Sequence, residues 1–170
     1  MLMISTRLRL MLMLGRWLFK ERGLPPLLVS RLPLRCWWVD CDINRHMNNS
    51  RYLALMDMGR WHYLLVSGLA SAIWRRRWMP VVVRIDISFH ASLKPGTHFE
   101  LVTRCERVGN RSITLVQEFR VEDRVTAVAR VVASFLEGGK SQAVATLFEN
   151  SPHLVPDATA ETARAGCVHA

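Results

Sequence analysis

The densest run of chemistry-bearing side chains is Asp40-Cys41-Asp42-Ile43-Asn44-Arg45-His46-Met47-Asn48-Asn49. Within it a carboxylate, an amide and an imidazole recur at every second position, as Asp42, Asn44 and His46. In a short loop such groups can converge on one point, and a helix starting directly after them adds unpaired N–H groups that stabilise an anion. The combination suits acyl transfer. Asp42 would serve as nucleophile or general base, Asn44 and His46 would orient substrate or water, and the helix-start amides would polarise a carbonyl. The same residues also compose an ordinary polar N-cap loop, in which Asp42, Asn48 and Asn49 satisfy backbone donors.

The elements that must position this run are legible on both sides of it. Pro33 marks entry into an extended stretch at 34–41. After the run, Asn48-Asn49-Ser50 caps a helix from Arg51 to about Ser67. Tyr52, Met56, Gly59 and Tyr63 recur at helical spacing, and Leu53, Leu55, Leu64 and Leu65 broaden the apolar surface, so this helix is expected to be buried on most sides until Gly68 stops it. Beyond Pro80 the period changes to two. Val81, Val83, Ile85, Ile87 and Phe89 alternate with Val82, Arg84, Asp86 and Ser88, as a half-buried strand requires. Further strands are expected at 98–108, 112–121 and 125–136, separated by turns at Lys94-Pro95-Gly96, Gly109-Asn110 and Glu122-Asp123. The pattern predicts an α+β fold, a curved antiparallel sheet of about five strands around one long helix. It divides the chain into a basic apolar arm at 1–33, a folded domain at 34–139 and a loosely packed tail at 140–170.

Composition narrows the function classes. The chain has 170 residues, half of them hydrophobic, enough for one domain with a real core. No stretch of about 20 uncharged apolar residues is present, which excludes a helical channel or transporter. The four cysteines, Cys36, Cys41, Cys105 and Cys167, form neither a disulfide framework nor paired metal spacing, and a reducing, cytoplasmic setting is the simplest reading. His90 and His98 lack partners at ligand spacing, so no metal is expected. Of the net charge of +9, residues 1–35 carry +6 and residues 36–139 carry +4, against −1 in the remainder. A basic arm of this kind can meet nucleic acid, an anionic membrane or a phosphorylated ligand. The six tryptophans do not alternate with basic residues as a base-stacking platform would, so nucleic acid is not an expected partner. On a helix over 1–20, Arg9, Arg16 and Lys20 share one face, which suits either an interfacial helix on an anionic leaflet or a helix packed on its own domain or a partner. Arginines interrupt the apolar run and no small-residue cleavage site precedes Pro25-Pro26, which argues against a secretory signal. Arg75-Arg76-Arg77, between Trp74 and Trp78, could hold a ligand phosphate or an anionic headgroup, or form a solvated loop face.

The segment from Asp42 to Tyr52 has the form D-x-N-x-H-x-N-N-x-x-Y and resembles the hotdog-fold acyl thioesterases. It is most similar to the acyl-carrier-protein thioesterases and the 4-hydroxybenzoyl-CoA thioesterase-like group. The M-N-N form and the basic leader also look like the thioesterase superfamily members typified by the sixth mammalian one. The resemblance covers about 34–136 and implies hydrolysis of a fatty or aromatic acyl thioester of CoA or carrier protein, without a cofactor. By position, Asp42 matches the aspartate that attacks or activates water, and Asn44 and His46 match the Asn and His of the carrier-protein enzymes. Asn48, Asn49 and Tyr52 match positions that shape the loop and line the site, to which Arg75 and Arg76 add a phosphate contact. Glu118 is a candidate for the further acidic residue some relatives place in a later strand. The family pairs two such folds with active sites at their interface, so one fold per chain implies a homodimer or homotetramer. The rival is a non-catalytic hotdog protein that binds lipid or a membrane surface through its N-terminal helix, at the inner face of the cytoplasmic membrane.

Overall fold

The computed structural model describes residues 9, 11–13, 15 and 28–148. Its sheet contains β1 (Val29–Arg35), β2 (Met79–Phe89), β3 (His98–Val108), β4 (Ser112–Val121), β5 (Arg124–Glu137) and the short β6 (Lys140–Ser141). Strand order is β1-β3-β4-β5-β2, antiparallel throughout, with β6 attached to β5. Between β1 and β2 run the long helix α1 (Asn49–Val66) and the short α2 (Leu69–Arg75), and α3 (Ala145–Phe148) follows β6.

The sheet curls around α1 because alternate residues on β3, β4 and β5 point at it. Phe99, Leu101, Thr103 and Cys105, then Ile113, Leu115, Gln117 and Phe119, then Ala127, Ala129, Val131, Ala133 and Phe135 are all buried. From the helix side, Tyr52, Leu55 and Met56 enter one core cluster with Leu101 and Phe119, while Tyr63 and Leu64 enter a second with Leu69, Ile73 and Phe135. Each such side chain removed from water contributes roughly 1.5–3 kcal/mol. Tyr52 meets Phe89 and Phe119 edge-on at centroid distances of 5.0 and 4.8 Å. At Gly59 the helix lies so near the sheet's side chains that an added Cβ would stand 2.5 Å from Leu101 Cδ2 and 3.0 Å from Gln117 Nε2. Gln117 itself is fully buried and donates to Met56 O (3.0 Å) and Thr103 Oγ1 (3.1 Å).

Three expectations need correction. The first strand lies at Val29–Arg35, not at 34–41. Pro33 sits inside it, which an edge strand paired only with β3 tolerates because the missing N–H can face away from the ladder. Val83 does not share a buried face with Val81, since a bulge between Val82 and Arg84 leaves it 66% exposed on an edge strand. The segment after Gln142 is not loose as far as it is described. Val144, Leu147 and Phe148 are buried in the second cluster, and Val144 N donates to Asn110 O at 2.8 Å. The N-terminal arm, read as either interfacial or packed on the domain, is described in part. Arg9, Met11–Met13 and Gly15 are helical, and Arg9 and Met13 are buried against the domain while Met11 and Leu12 are exposed. Arg16, Lys20, Pro25-Pro26, Cys167 and the tail beyond Phe148 lie outside the described residues.

Candidate functional site

After β1 the chain makes a single 3-10 turn, Trp38–Asp40, and then a tight hairpin loop closed by an antiparallel bridge between Cys41 and Met47. Both feet of the loop are pinned. Met47 is buried and its N–H donates to Leu93 O (2.8 Å), while Asn48 N–H donates to Asp40 O (2.8 Å). Inside the loop Asp42 N–H donates to His46 O (2.9 Å) and Arg45 N–H to Asp42 O (3.0 Å). This closure forces Arg45 to φ +58°, a left-handed conformation that costs an L residue about 1 kcal/mol. Strain of this kind persists only where surrounding contacts over-determine it.

The loop brings Asp42, Asn44 and His46 together as their spacing predicts, but through the backbone. The Asp42 carboxylate is exposed and accepts the Asn44 N–H at 2.8 Å through Oδ1. His46 contributes its carbonyl. Among the described residues the Asp42 carboxylate makes no hydrogen bond to the His46 ring. Ile43, at the tip, is 97% exposed.

The start of α1 borders this loop. Asn48 is the N-cap, and its side-chain oxygen accepts from Ser50 N (2.9 Å) and Ser50 Oγ (2.7 Å). Arg51 N–H donates to Asn48 O (2.9 Å). The Asn49 N–H, at the first helical position, has no protein acceptor among the described residues. It therefore stands at the positive end of an 18-residue helix with its hydrogen-bonding capacity unspent. Tyr52 is only 2% exposed, and burial pushes its phenol above the usual range, with the Leu93 backbone pulling the other way. It serves the core and reaches the loop only through that packing.

The group that sequence reasoning passed over is Asp40. Its carboxylate is fully buried and accepts from Arg9 Nη2 (2.6 Å) and Trp37 N (2.9 Å) through Oδ2, and from Arg51 Nη2 (2.9 Å) and Nε (3.1 Å) through Oδ1. Asp40 thus ties the N-terminal helix, the 3-10 turn and the start of α1 into one charged cluster two residues from Asp42. The signal available was its apolar setting after Trp37-Trp38-Val39, together with arginines at helix-facing positions.

Arg75 and Arg76 follow the C-terminal end of α1, whose 18 residues span about 27 Å from its start beside the Asp42 loop. Arg76 Nη2 donates to Thr146 O (3.1 Å) and its guanidinium lies 5.2 Å from the Trp78 ring centre. Within one chain these arginines are therefore not brought to the loop. Glu118 faces away from α1, with one oxygen 2.7 Å from Arg120 and the other 3.8 Å from Arg104. Another polar group missed in the sequence is Arg60, which joins Asp57 (3.0 Å) to Gln117 (3.1 Å). Beside it a cavity of about 60 Å³ opens between α1 and the β2 edge, lined by Trp61, Leu64, Pro80, Val82 and Phe135 among others.

A curled antiparallel sheet around one long helix, with a polar loop leading into that helix, defines a hotdog fold. The chain belongs to the thioesterase-like superfamily, whose family model matches residues 36–161. It is 31% identical over 85 residues to Protein THEM6 of Drosophila melanogaster, an alignment spanning 49% of this chain and 44% of that protein. It superposes on the YbaW probable thioesterase from Escherichia coli with a TM-score of 0.68 at 22% identity, over 75% of this chain and 99% of that one. A gentisyl-coenzyme A thioesterase superposes with a TM-score of 0.59 at 20% identity, over 64% and 89% of the respective chains. Family model and superpositions agree on a thioesterase-like hotdog domain. Among the described residues no helix is long and apolar enough to cross a membrane.

Proposed function

We propose that this protein hydrolyses acyl thioesters of CoA or of a carrier protein, with Asp42 as nucleophile or general base and the α1-start amides polarising the thioester carbonyl. The observation that carries this reading is an exposed, backbone-oriented Asp42 carboxylate on a pinned loop that leads straight into the unspent Asn49 N–H at the start of α1. A carboxylate held this way can attack the carbonyl carbon or take a proton from water. An amide at the positive end of a helix favours the oxyanion that forms. Asn44 and His46 orient water or the leaving group, and Asn48 shapes the loop. Arg75 and Arg76 are assigned to a CoA phosphate, and two copies of the chain make the working unit. Support for pairing comes from β2, an 11-residue edge strand whose Met79, Val82, Val83 and Phe89 are exposed. The test is turnover of a panel of acyl-CoA and acyl-carrier substrates by the purified full chain and by Asp42→Ala. Loss of at least 10²-fold in the variant is expected for a general base or nucleophile. Equal rates in both proteins would overturn the assignment.

A second reading rests on Met11 and Leu12, which are 70% and 63% exposed on a helix whose Arg9 and Met13 face inward. That outward apolar pair, with the basic residues of the arm, supports peripheral contact with an anionic membrane. Co-sedimentation with liposomes checks it. Binding that ignores anionic lipid content removes the reading.

A further inference from the structure

Cys36 and Cys41 stand at the two ends of the 3-10 turn, with their Sγ atoms 3.6 Å apart. Both are free thiols. Cys36 is fully buried, its sulfur 3.9 Å from Leu93 O and 4.0 Å from Trp37 O. Cys41 is partly exposed, and its thiol donates to Trp37 O at 3.5 Å. A disulfide needs a sulfur separation of about 2.05 Å, so closing the gap takes side-chain rotation together with a shift of the turn.

We propose that Cys36 and Cys41 form an oxidative modification site that takes a peroxide and responds by closing a disulfide that displaces the Asp42 loop. The accessible Cys41 reacts first. Its sulfur attacks the O–O bond of hydrogen peroxide, giving a sulfenic acid and, with the thiol proton, one water. The Cys36 sulfur then attacks the sulfenic sulfur. The S–S bond forms, the S–O bond breaks, and the departing hydroxide takes the Cys36 proton as a second water. Two thiols lose two electrons and the peroxide gains them. Burial, reinforced by the adjacent Cys41 sulfur, pushes the Cys36 thiol up to about 12, so Cys36 stays protonated toward peroxide and gives up its proton only as it attacks the sulfenic sulfur beside it. Cys105 belongs to the second core cluster, away from this pair.

The location gives the bond its consequence. It would close a six-residue ring that contains Asp40, drawing Cys41 away from its bridge to Met47 and moving Asp42 with it. The expected effect on turnover rests on the thioesterase reading, whereas formation of the bond does not.

The experiment uses the full chain carrying Cys167→Ser, which removes cross-linking through the tail. After hydrogen peroxide and full tryptic digestion, both cysteines fall in one ten-residue peptide, Cys36 to Arg45. That peptide should lose two hydrogens and regain them with dithiothreitol. Turnover should fall on the order of 10²-fold and recover with the reductant, as a displacement of about 1 Å at the reacting group would cause. Cys36→Ala and Cys41→Ala should each keep the starting rate and lose the disulfide. Limited tryptic cleavage after Arg45 in the folded chain should also change on oxidation, which reads the loop with no assay of activity. Gain of oxygen on Cys41 with Cys36 still reduced would overturn the site. A disulfide that leaves both the Arg45 cleavage and turnover unchanged would overturn the coupling to the loop. A chain inactive even when reduced would count against the thioesterase reading alone.

Discussion

Asp40 and Asp42 are two residues apart and live in opposite electrostatic worlds. Asp40 is fully buried between two guanidiniums and a backbone amide. Asp42 faces solvent and accepts a single backbone N–H. A buried carboxylate with every acceptor engaged has no lone pair left for a substrate, and its ionic partners make removing it costly. An exposed carboxylate on a pinned loop contributes little to folding and keeps its second oxygen for chemistry. With Asp42 in the proposed catalytic role, the contrast separates stability from catalysis along three residues of chain, and substitutions should divide along it.

Asp40→Ala should have the largest effect. It strands Arg9 and Arg51, of which Arg9 is only 7% exposed, and should lower the free energy of unfolding by about 3–5 kcal/mol, read from urea titration. A loss below about 1 kcal/mol would mean the cluster is solvated in solution. Asp42→Asn, which retains the acceptor for Asn44 N–H, should cut kcat by about 10²-fold or more with little change in the unfolding midpoint. If the midpoint fell instead, Asp42 would belong with Asp40 as a structural group. Arg9→Met keeps the aliphatic stem and should cost roughly 1.5–3 kcal/mol through the lost charged hydrogen bond. Its activity should drop only as far as the loop loosens, seen in a KM and kcat comparison with Arg9→Lys. The smallest effect is expected for Asn48→Ala, about 1 kcal/mol from the lost cap, measured by thermal denaturation. A larger loss of activity than of stability there would show that the cap tunes the Asn49 amide.

The sequence disclosed elements whose determinants are local. The α1 boundaries, the hairpin turns and the strands from His98 to Glu137 follow from period, caps and turn residues, and the D-x-N-x-H loop follows from its motif. What escaped depends on distant partners. Asp40 is buried because Arg9 arrives from 31 positions earlier and Arg51 from 11 later, which no local pattern encodes. Val83 is exposed because a bulge interrupts an alternation that reads as regular. Proline in β1 is acceptable only once the strand is known to be an edge. The helical spacing of Val144, Leu147 and Phe148 was present but too short to register without the second core cluster that receives it.

Gly59 carries no chemistry, yet it acts as a depth stop for the site. With no side chain there, the α1 backbone settles directly onto the buried Leu101 and Gln117 side chains. A rigid helix seated at one point cannot rise or roll freely at another, and Asn49 lies only about 15 Å further along the same axis. The height of the helix-start amides above the loop is thus set by an atom that is missing ten residues away. Any larger residue there would lift the whole lever, and the amide end would travel with it.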